Sequence, residues 1–303
     1  MDNKVSISII IVNYNLTESI RKLLESIKKF VNEISYEVIV VDNNSPDRSI
    51  ENLKVEFPEF NFQLLNTNLG FGHGNNSGVK LSKGEYLLLL NPDTYLTNNL
   101  PLQLFSFAEK HPEFGSVGPR LIFPDGNYQV SYARFPNIKQ ELLNAIGLIG
   151  FALTLLYKLK DFFFRRKEFY IVDFLFGSCM FIRRDIFQKV NGFDEDYFLF
   201  SEEVDLCYKI KNAGFKNIYW KNGSIVHEKS LITGKNMPER IKLGYESRLK
   251  FFKKHYSKFR LFFLRYTIIG TFLFKHLTLF RKEAAKQKYK KAYQSIIRLY
   301  IQS

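Results

Sequence analysis

Residues 86–94 read YLLLLNPDT, and the fold turns on how that stretch is taken. Tyr86–Leu90 is apolar throughout and stops at Asn91-Pro92-Asp93, a strong turn signal. A strand without polar alternation suits a sheet covered on both faces, as parallel sheets are. Upstream, Val5–Val12 is a β-branched run interrupted only by Ser6 and Ser8. Thr17 is placed to cap a helix through Phe30, with Ile20, Leu23, Leu24 and Ile27 at helical spacing. Glu37–Val41 is a second strand, ending in the dense turn Asp42-Asn43-Asn44-Ser45-Pro46, and Phe62–Leu65 is a third. Tyr86–Leu90 is then the fourth. This alternation predicts an α/β, doubly wound, mostly parallel sheet. Ligands bind such sheets beyond the carboxyl ends of the strands. Asn13, Asp42, Asn68 and Asp93 all fall at or just past such ends.

The second half is less regular. Residues 136–168 read as an insertion whose centre, Leu142–Tyr157, runs sixteen residues without a charge. As a helix it would reach about 24 Å, short of the roughly 30 Å of a bilayer's hydrocarbon core. With Arg165-Arg166-Lys167 following, it reads as interfacial or core-packed rather than spanning. Asp173–Arg183 is expected to return as a strand. Ser201 then caps a helix over Glu202–Ala213, closed by Gly214, and Ile225–His227 ends a last short strand. Beyond Pro238 the pattern is helical. The predicted division is a domain over 1–235 and a basic amphipathic helical tail over 236–303.

Charge separates these parts. Residues 1–235 hold 27 Lys+Arg against 27 Asp+Glu, whereas residues 236–303 hold 17 against 3. The whole excess of +14 therefore lies in the tail. Cys179 and Cys207 are the only cysteines, and their spacing fits neither a metal knuckle nor a disulfide framework, so a reducing compartment is expected. Ile9–Val12 is too short for the apolar core of a secretory leader and reads as part of the first strand.

Two acidic clusters carry the chemistry. Asp93 stands at the lip of a buried strand, where a carboxylate can hold Mg²⁺ or Mn²⁺ against a diphosphate. The same four residues, Asn-Pro-Asp-Thr, also make an ordinary turn. Far downstream, Glu202, Glu203 and Asp205 open a helix. Acids in a first turn gain from the helix dipole, but three in four positions exceed what a cap needs. Their mutual repulsion raises at least one pKa, which suits a general base. His227 is either structural or, if Asp93 binds a cation, a further ligand. The run NTNLGFGHGNNSG over 66–78 is either a flexible loop with a helix cap or a backbone approach to ribose or phosphate. It is not the dinucleotide fingerprint, which would follow the first strand.

In order along the chain, SIIIVNYN (8–15), EVIVVDNNS (37–45), NLGFGHGNNSG (68–78), YLLLLNPDT (86–94), GSCMFIRRDIF (177–187), GFDEDYFLFSEEVDLCYKIKNAGF (192–215) and IVH (225–227) resemble the family 2 inverting glycosyltransferases of the GT-A fold. Within them the rhamnosyltransferase-like branch is most similar. The resemblance implies that Asp42 accepts a hydrogen bond from the pyrimidine of the donor. It implies a nucleotide-binding set of Asn13, Asp42, Asn68, Asn75, Asn91 and Asp93. Asp93 would be the metal ligand, with His227 as a further one, and Asn91 leaves one fewer charge at the metal than an acidic triplet would. Glu203 stands where the family's base, usually Asp, would be, with Glu202 and Asp205 as rivals. The implied reaction is transfer of rhamnose or a hexose, with inversion, from a dTDP- or UDP-sugar to a hydroxyl of a glycan or lipid-linked acceptor in cell-surface polysaccharide synthesis.

The basic tail, interleaved with Phe, Leu and Tyr, suits an anionic membrane surface. An acceptor on a polyprenyl diphosphate would put the work there, so the expected location is cytoplasmic, peripheral at the inner face of the plasma membrane. Nucleic-acid binding by the tail would leave the acidic cleft without purpose. Nucleotidyl transfer to a sugar phosphate would want a Gly-rich triphosphate loop after the first strand, which is missing.

Overall fold

The computed structural model describes residues 5–48, 50–145, 167–228, 237–278 and 283–303. The strands are β1 (Ile7–Asn13), β2 (Tyr36–Asp42), β3 (Asn61–Leu64), β4 (Tyr86–Leu90), β5 (Thr94–Tyr95), β6 (Phe114–Ile122), β7 (Tyr128–Gln129), β8 (Tyr132–Ala133), β9 (Phe169–Val172), β10 (Phe174–Leu175), β11 (Cys179–Arg183) and β12 (Lys216–His227). The described helices are α1 (Thr17–Phe30), α2 (Ile50–Glu56), α3 (Phe71–Leu81), α4 (Leu100–Lys110), α5 (Ile138–Ala145), α6 (Arg184–Lys189), α7 (Glu202–Asn212), α8 (Met237–His255), α9 (Lys258–Thr278) and α10 (Glu283–Gln302).

The main sheet runs β3-β2-β1-β4-β11-β6-β12-β5, with β7 on β6 and β9 on β12. Its first four strands are parallel, β11 is antiparallel to both of its neighbours, and β6 and β12 are parallel again. The apolar runs explain the centre. β1 and β4 are buried along their whole lengths, as strands covered on both faces must be. Ser8, a polar residue within β1, donates from Oγ to Glu37 Oε1 at 2.6 Å and accepts from the Gly84 N–H at 2.8 Å. Each fully buried Ile or Leu of these strands contributes about 1.5–3 kcal/mol of transfer free energy.

Register fixes where the strands end. Asn13 lies directly opposite Asp42, and Ile11 opposite Leu90, so Asn13, Asp42 and Asn91 leave the sheet along one edge. Helix α3 packs on β1 closely because its inner face is glycine. A methyl group on Gly74 would sit 2.7 Å from Val12 Cγ1, and one on Gly78 would sit 2.6 Å from Ile10 Cγ2. Gly74 and Gly78 of the 66–78 run therefore serve helix-on-sheet packing.

Two local expectations change. Thr17 is the first residue of α1 rather than its cap; Asn13 Oδ1 instead accepts the Leu16 N–H at 3.1 Å. The single strand expected over Asp173–Arg183 is broken in two, because β10 pairs with β8 in a separate small sheet while β11 enters the main one. The break leaves Phe176-Gly177-Ser178 as a turn. The uncharged run 142–157 lies outside the described residues from 146 onward.

The chain divides into two compact units: Met1–Arg134, Glu168–Phe198 and Glu202–Ser230, and Phe135–Lys167, Leu199–Ser201 and Leu231–Ser303. The second unit is helical in its described parts. Its helices α5 and α8 are joined by an ion pair between half-buried Arg248 (Nη1) and buried Glu141 (Oε1) at 2.5 Å. The Tyr256 hydroxyl donates to the Pro136 carbonyl. No described helix is long and apolar enough to cross a membrane.

Candidate active site

At the edge formed by β1 and β2, Asp42 is buried within a network of short polar side chains. Its Oδ1 accepts from Asn13 Nδ2 at 2.6 Å and from Ser45 Oγ at 2.7 Å, and its Oδ2 accepts from the Ser45 N–H at 2.9 Å. Each carboxylate oxygen has two acceptor positions, so Oδ2 keeps capacity for a bound donor group. Neighbouring Asn43 donates to the Gly70 carbonyl at 3.0 Å, while its Oδ1 is buried with no hydrogen-bond partner. A buried acceptor left open is costly unless a ligand or water fills it.

One strand further along, Asn91-Pro92-Asp93 closes as a turn, with the Asn91 carbonyl accepting from the Thr94 N–H and from Thr94 Oγ1 at 2.7 Å. The turn reading and the functional one are thus compatible. β5 pairs with β12, which sets His227 opposite Thr94. His227 Nε2 lies 3.3 Å from Asp93 Oδ1, and both side chains are mostly buried. His227 Nδ1 faces Gln129 Oε1 at 2.8 Å. A carbonyl oxygen there accepts from Nδ1–H, and the neutral ring in that tautomer presents its Nε2 lone pair to Asp93.

This pair fits a shared divalent cation. Two donors at about 2.0–2.2 Å from one ion, near right angles, lie roughly 3 Å apart. Among the described residues no group of three or more His, Cys, Asp or Glu is placed to hold a metal. Two protein donors leave the remaining positions to phosphate oxygens and water, the way Mg²⁺ is usually held.

The second acidic cluster meets this region through the 176–178 turn. The Ser178 carbonyl accepts the Asn91 N–H at 3.0 Å, and Ser178 Oγ is 3.4 Å from His227 Nε2. A methyl group on the adjacent Gly177 would lie 3.7 Å from Glu203 Cβ and 3.6 Å from the Phe71 ring. Residues 177–178 thus stand between the metal-type pair and the acids of α7. Those acids differ. Glu202 is 4% exposed, and its Oε2 has no hydrogen-bond partner. Burial, and then the charge of Glu203, push its carboxyl well above the usual carboxylate range. Glu203 is half-buried. Asp205 is buried and lies 3.1 Å from Lys209 Nζ, one turn along the helix. Lys209 in turn donates to the Gly192 carbonyl at 2.7 Å.

The asparagines of the 66–78 run make local bonds. Asn68 Oδ1 accepts the Gly70 N–H at 3.0 Å, and the buried Asn75 donates to the Phe71 carbonyl at 3.0 Å. Asn76 exchanges hydrogen bonds with the Phe193 backbone and donates to Glu195, whose other oxygen is 2.8 Å from His73 Nδ1. Together with the Phe71 N–H on the Phe198 carbonyl, these staple the start of α3 to the loop that leads towards α7. Gly70 is required at this junction: its φ is +99°, and a methyl group there would sit 2.1 Å from the Phe198 carbonyl oxygen. Gln129, Ser178, Asn43 and Ser45 belong to the site although sequence reasoning did not single them out. Ser178 carried a signal, a Gly-Ser pair inside an apolar run. Gln129 carried none.

Comparison with known proteins gives the family and the fold. Residues 8–190 match the family model described as glycosyl transferase family 2. The chain is 24% identical over 298 residues to the N-acetylglucosaminyl-diphospho-decaprenol L-rhamnosyltransferase of Mycobacterium tuberculosis, covering 93% of this chain and 95% of that one. It is 28% identical over 225 residues to the rhamnosyltransferase WbbL of Escherichia coli K12, covering 70% and 79%. Among solved structures, GalNAc-T7 with UDP, GalNAc and Mn²⁺ superposes with a TM-score of 0.60 at 16% identity, over 83% of this chain and 51% of that one. Staphylococcus aureus TarS 1–349 with UDP superposes with a TM-score of 0.56 at 15% identity, over 98% and 92%. The sheet and its flanking helices are those of the GT-A fold.

Proposed function

Since this chain belongs to glycosyl transferase family 2, we propose that it moves rhamnose or a hexose from a dTDP- or UDP-sugar to a hydroxyl of a glycan or polyprenyl-diphosphate-linked acceptor, with inversion. The observation that carries the reading is the Asp93–His227 pair at 3.3 Å, aligned by Gln129 and joined through Ser178 to the turn beside Glu203. The acceptor class is supported by the decaprenol-linked substrate in the name of the mycobacterial relative.

The proposed roles follow from the contacts. Asp42, held by Asn13 and Ser45, accepts from the pyrimidine N–H, and Asn43 Oδ1 offers a second acceptor. Asn68 and Asn75 shape the loop beside the nucleotide, and Asn91 fixes the turn that presents Asp93. Asp93 and His227 would hold Mg²⁺ or Mn²⁺, which when bound supplies electrostatic stabilisation of the departing diphosphate. Glu203 takes the proton of the acceptor hydroxyl as its oxygen bonds to the anomeric carbon and the bond from that carbon to the phosphate oxygen breaks. Burial and the charge of Glu203 raise the Glu202 carboxyl, which favours its neutral form and so lessens like-charge repulsion beside Glu203. Asp205 is committed to Lys209 and is the weakest of the three rivals.

The basic tail supports a location at the inner face of the plasma membrane, where anionic lipid attracts Lys and Arg. The test is calorimetric titration of dTDP and of UDP, with and without Mn²⁺, on the wild type and Asp93→Ala. Metal-dependent binding that the variant loses is expected. No binding of either nucleotide under any metal condition would overturn the donor site.

A further inference from the structure

We infer that one face of α9 is the surface by which the chain lies on an anionic phospholipid bilayer. The inference rests on the reading that the tail meets such a membrane, and it names the side chains that do so. Helix α9 is apolar on two opposite sides. Leu264, Ile268 and Phe272 are buried within the helical unit. At 100° per residue, Phe259, Phe262, Phe263, Tyr266, Leu273 and Leu277 fall together on the other side, and all six are exposed, Phe259 to 72% and Leu277 to 66%. The stripe extends about 27 Å along the helix. A second apolar face on a helix already packed by its first calls for a further apolar environment.

Charge selects the occupant. Helix α9 contains no acidic residue, and Lys258 and Arg260 are exposed at its start, just after exposed Lys253 at the end of α8. An aromatic stripe bordered by cations and free of acids matches the boundary between lipid headgroups and acyl chains, with phosphates as counter-charges. The longest uncharged run of α9, Tyr266–Phe274, is nine residues, far below the roughly 20 needed to span, so the helix lies along the surface.

Flotation of the full chain with vesicles of phosphatidylcholine, with or without phosphatidylglycerol, tests this. Wild type is expected to float with the phosphatidylglycerol vesicles, and the double substitution Phe262→Ser, Phe263→Ser to reduce partitioning by roughly tenfold or more. Lys258→Gln with Arg260→Gln should give a smaller loss, and added salt should weaken wild-type binding. Both pairs are exposed, so circular dichroism should show unchanged folding. Wild type that floats with neither vesicle overturns the membrane reading itself. Wild type and the Phe variant floating equally leaves that reading standing and overturns the assignment to α9. Equal flotation with both vesicle types overturns the role of lipid charge. Self-association in sedimentation velocity that the Phe variant abolishes, without any vesicle binding, identifies a protein interface instead and overturns the inference.

Discussion

The two units treat buried polar groups in opposite ways. In the sheet unit, Asp42, Asn13 and Ser45 share several short hydrogen bonds at the ends of adjacent strands, each group held by side-chain and backbone partners. In the helical unit, half-buried Arg248 and buried Glu141, 107 residues apart in sequence, pair between two helices, and Glu141 Oε2 has no hydrogen-bond partner. The first arrangement leaves spare acceptor capacity at a rigid edge, which is what a binding site needs. The second ties distant segments together and offers little to a ligand. Polar burial thus leaves an open acceptor at the β1–β2 edge of one unit and joins two helices in the other.

Four experiments can break or sharpen that contrast. The largest effect is expected from Glu203→Gln, which should lower kcat by about 10²–10⁴-fold with donor KM little changed. Steady-state transfer kinetics with a defined acceptor measures it, and near-wild-type kcat would return the base to Glu202 or Asp205. Next, Arg248→Met should cost about 3–5 kcal/mol by leaving Glu141 buried and uncompensated. Replacing both partners by apolar residues should recover most of that loss. Denaturant unfolding of the three chains decides it, and a single variant as stable as wild type would mean that the pair ties nothing.

Gln129→Leu comes third. Losing the acceptor that fixes the His227 tautomer should weaken Mn²⁺ binding by about 10–100-fold, readable by calorimetry with nucleotide present. The smallest effect is on stability. Burial and the charge of Glu203 raise the Glu202 carboxyl in the folded chain, so the folded state binds this proton more tightly than the unfolded state does. Stability is therefore lost as pH rises from the ordinary carboxylate range through the raised value. Glu202→Gln removes that loss. The variant should melt higher than wild type above this window, with no gain below it. Melting curves at acidic and alkaline pH test both halves of the statement.

Much of this was legible because it is local. The apolar runs of β1 and β4 read as strands covered on two faces, and their polar stops marked the edge where such sheets bind ligands. The acids at 202, 203 and 205 announced themselves by crowding one helical turn. The 66–78 run was harder to read, since glycine spacing is the same whether it faces a phosphate or a sheet. Only the contacts of Gly74 and Gly78 with Val12 and Ile10 assign those two to packing.

The sequence by itself determined the four parallel strands, helices α1 and α7, the separation of charge between the two parts and the carboxylates of interest, because periodicity, turn chemistry and composition are properties of short windows. The tertiary structure decided which of those carboxylates differ. Burial made Glu202 unlike Glu203, a lysine one turn away engaged Asp205, and a strand pairing carried His227 to Asp93 and Gln129 to His227. Those are contacts between segments far apart in the chain, and no window of sequence holds both partners at once.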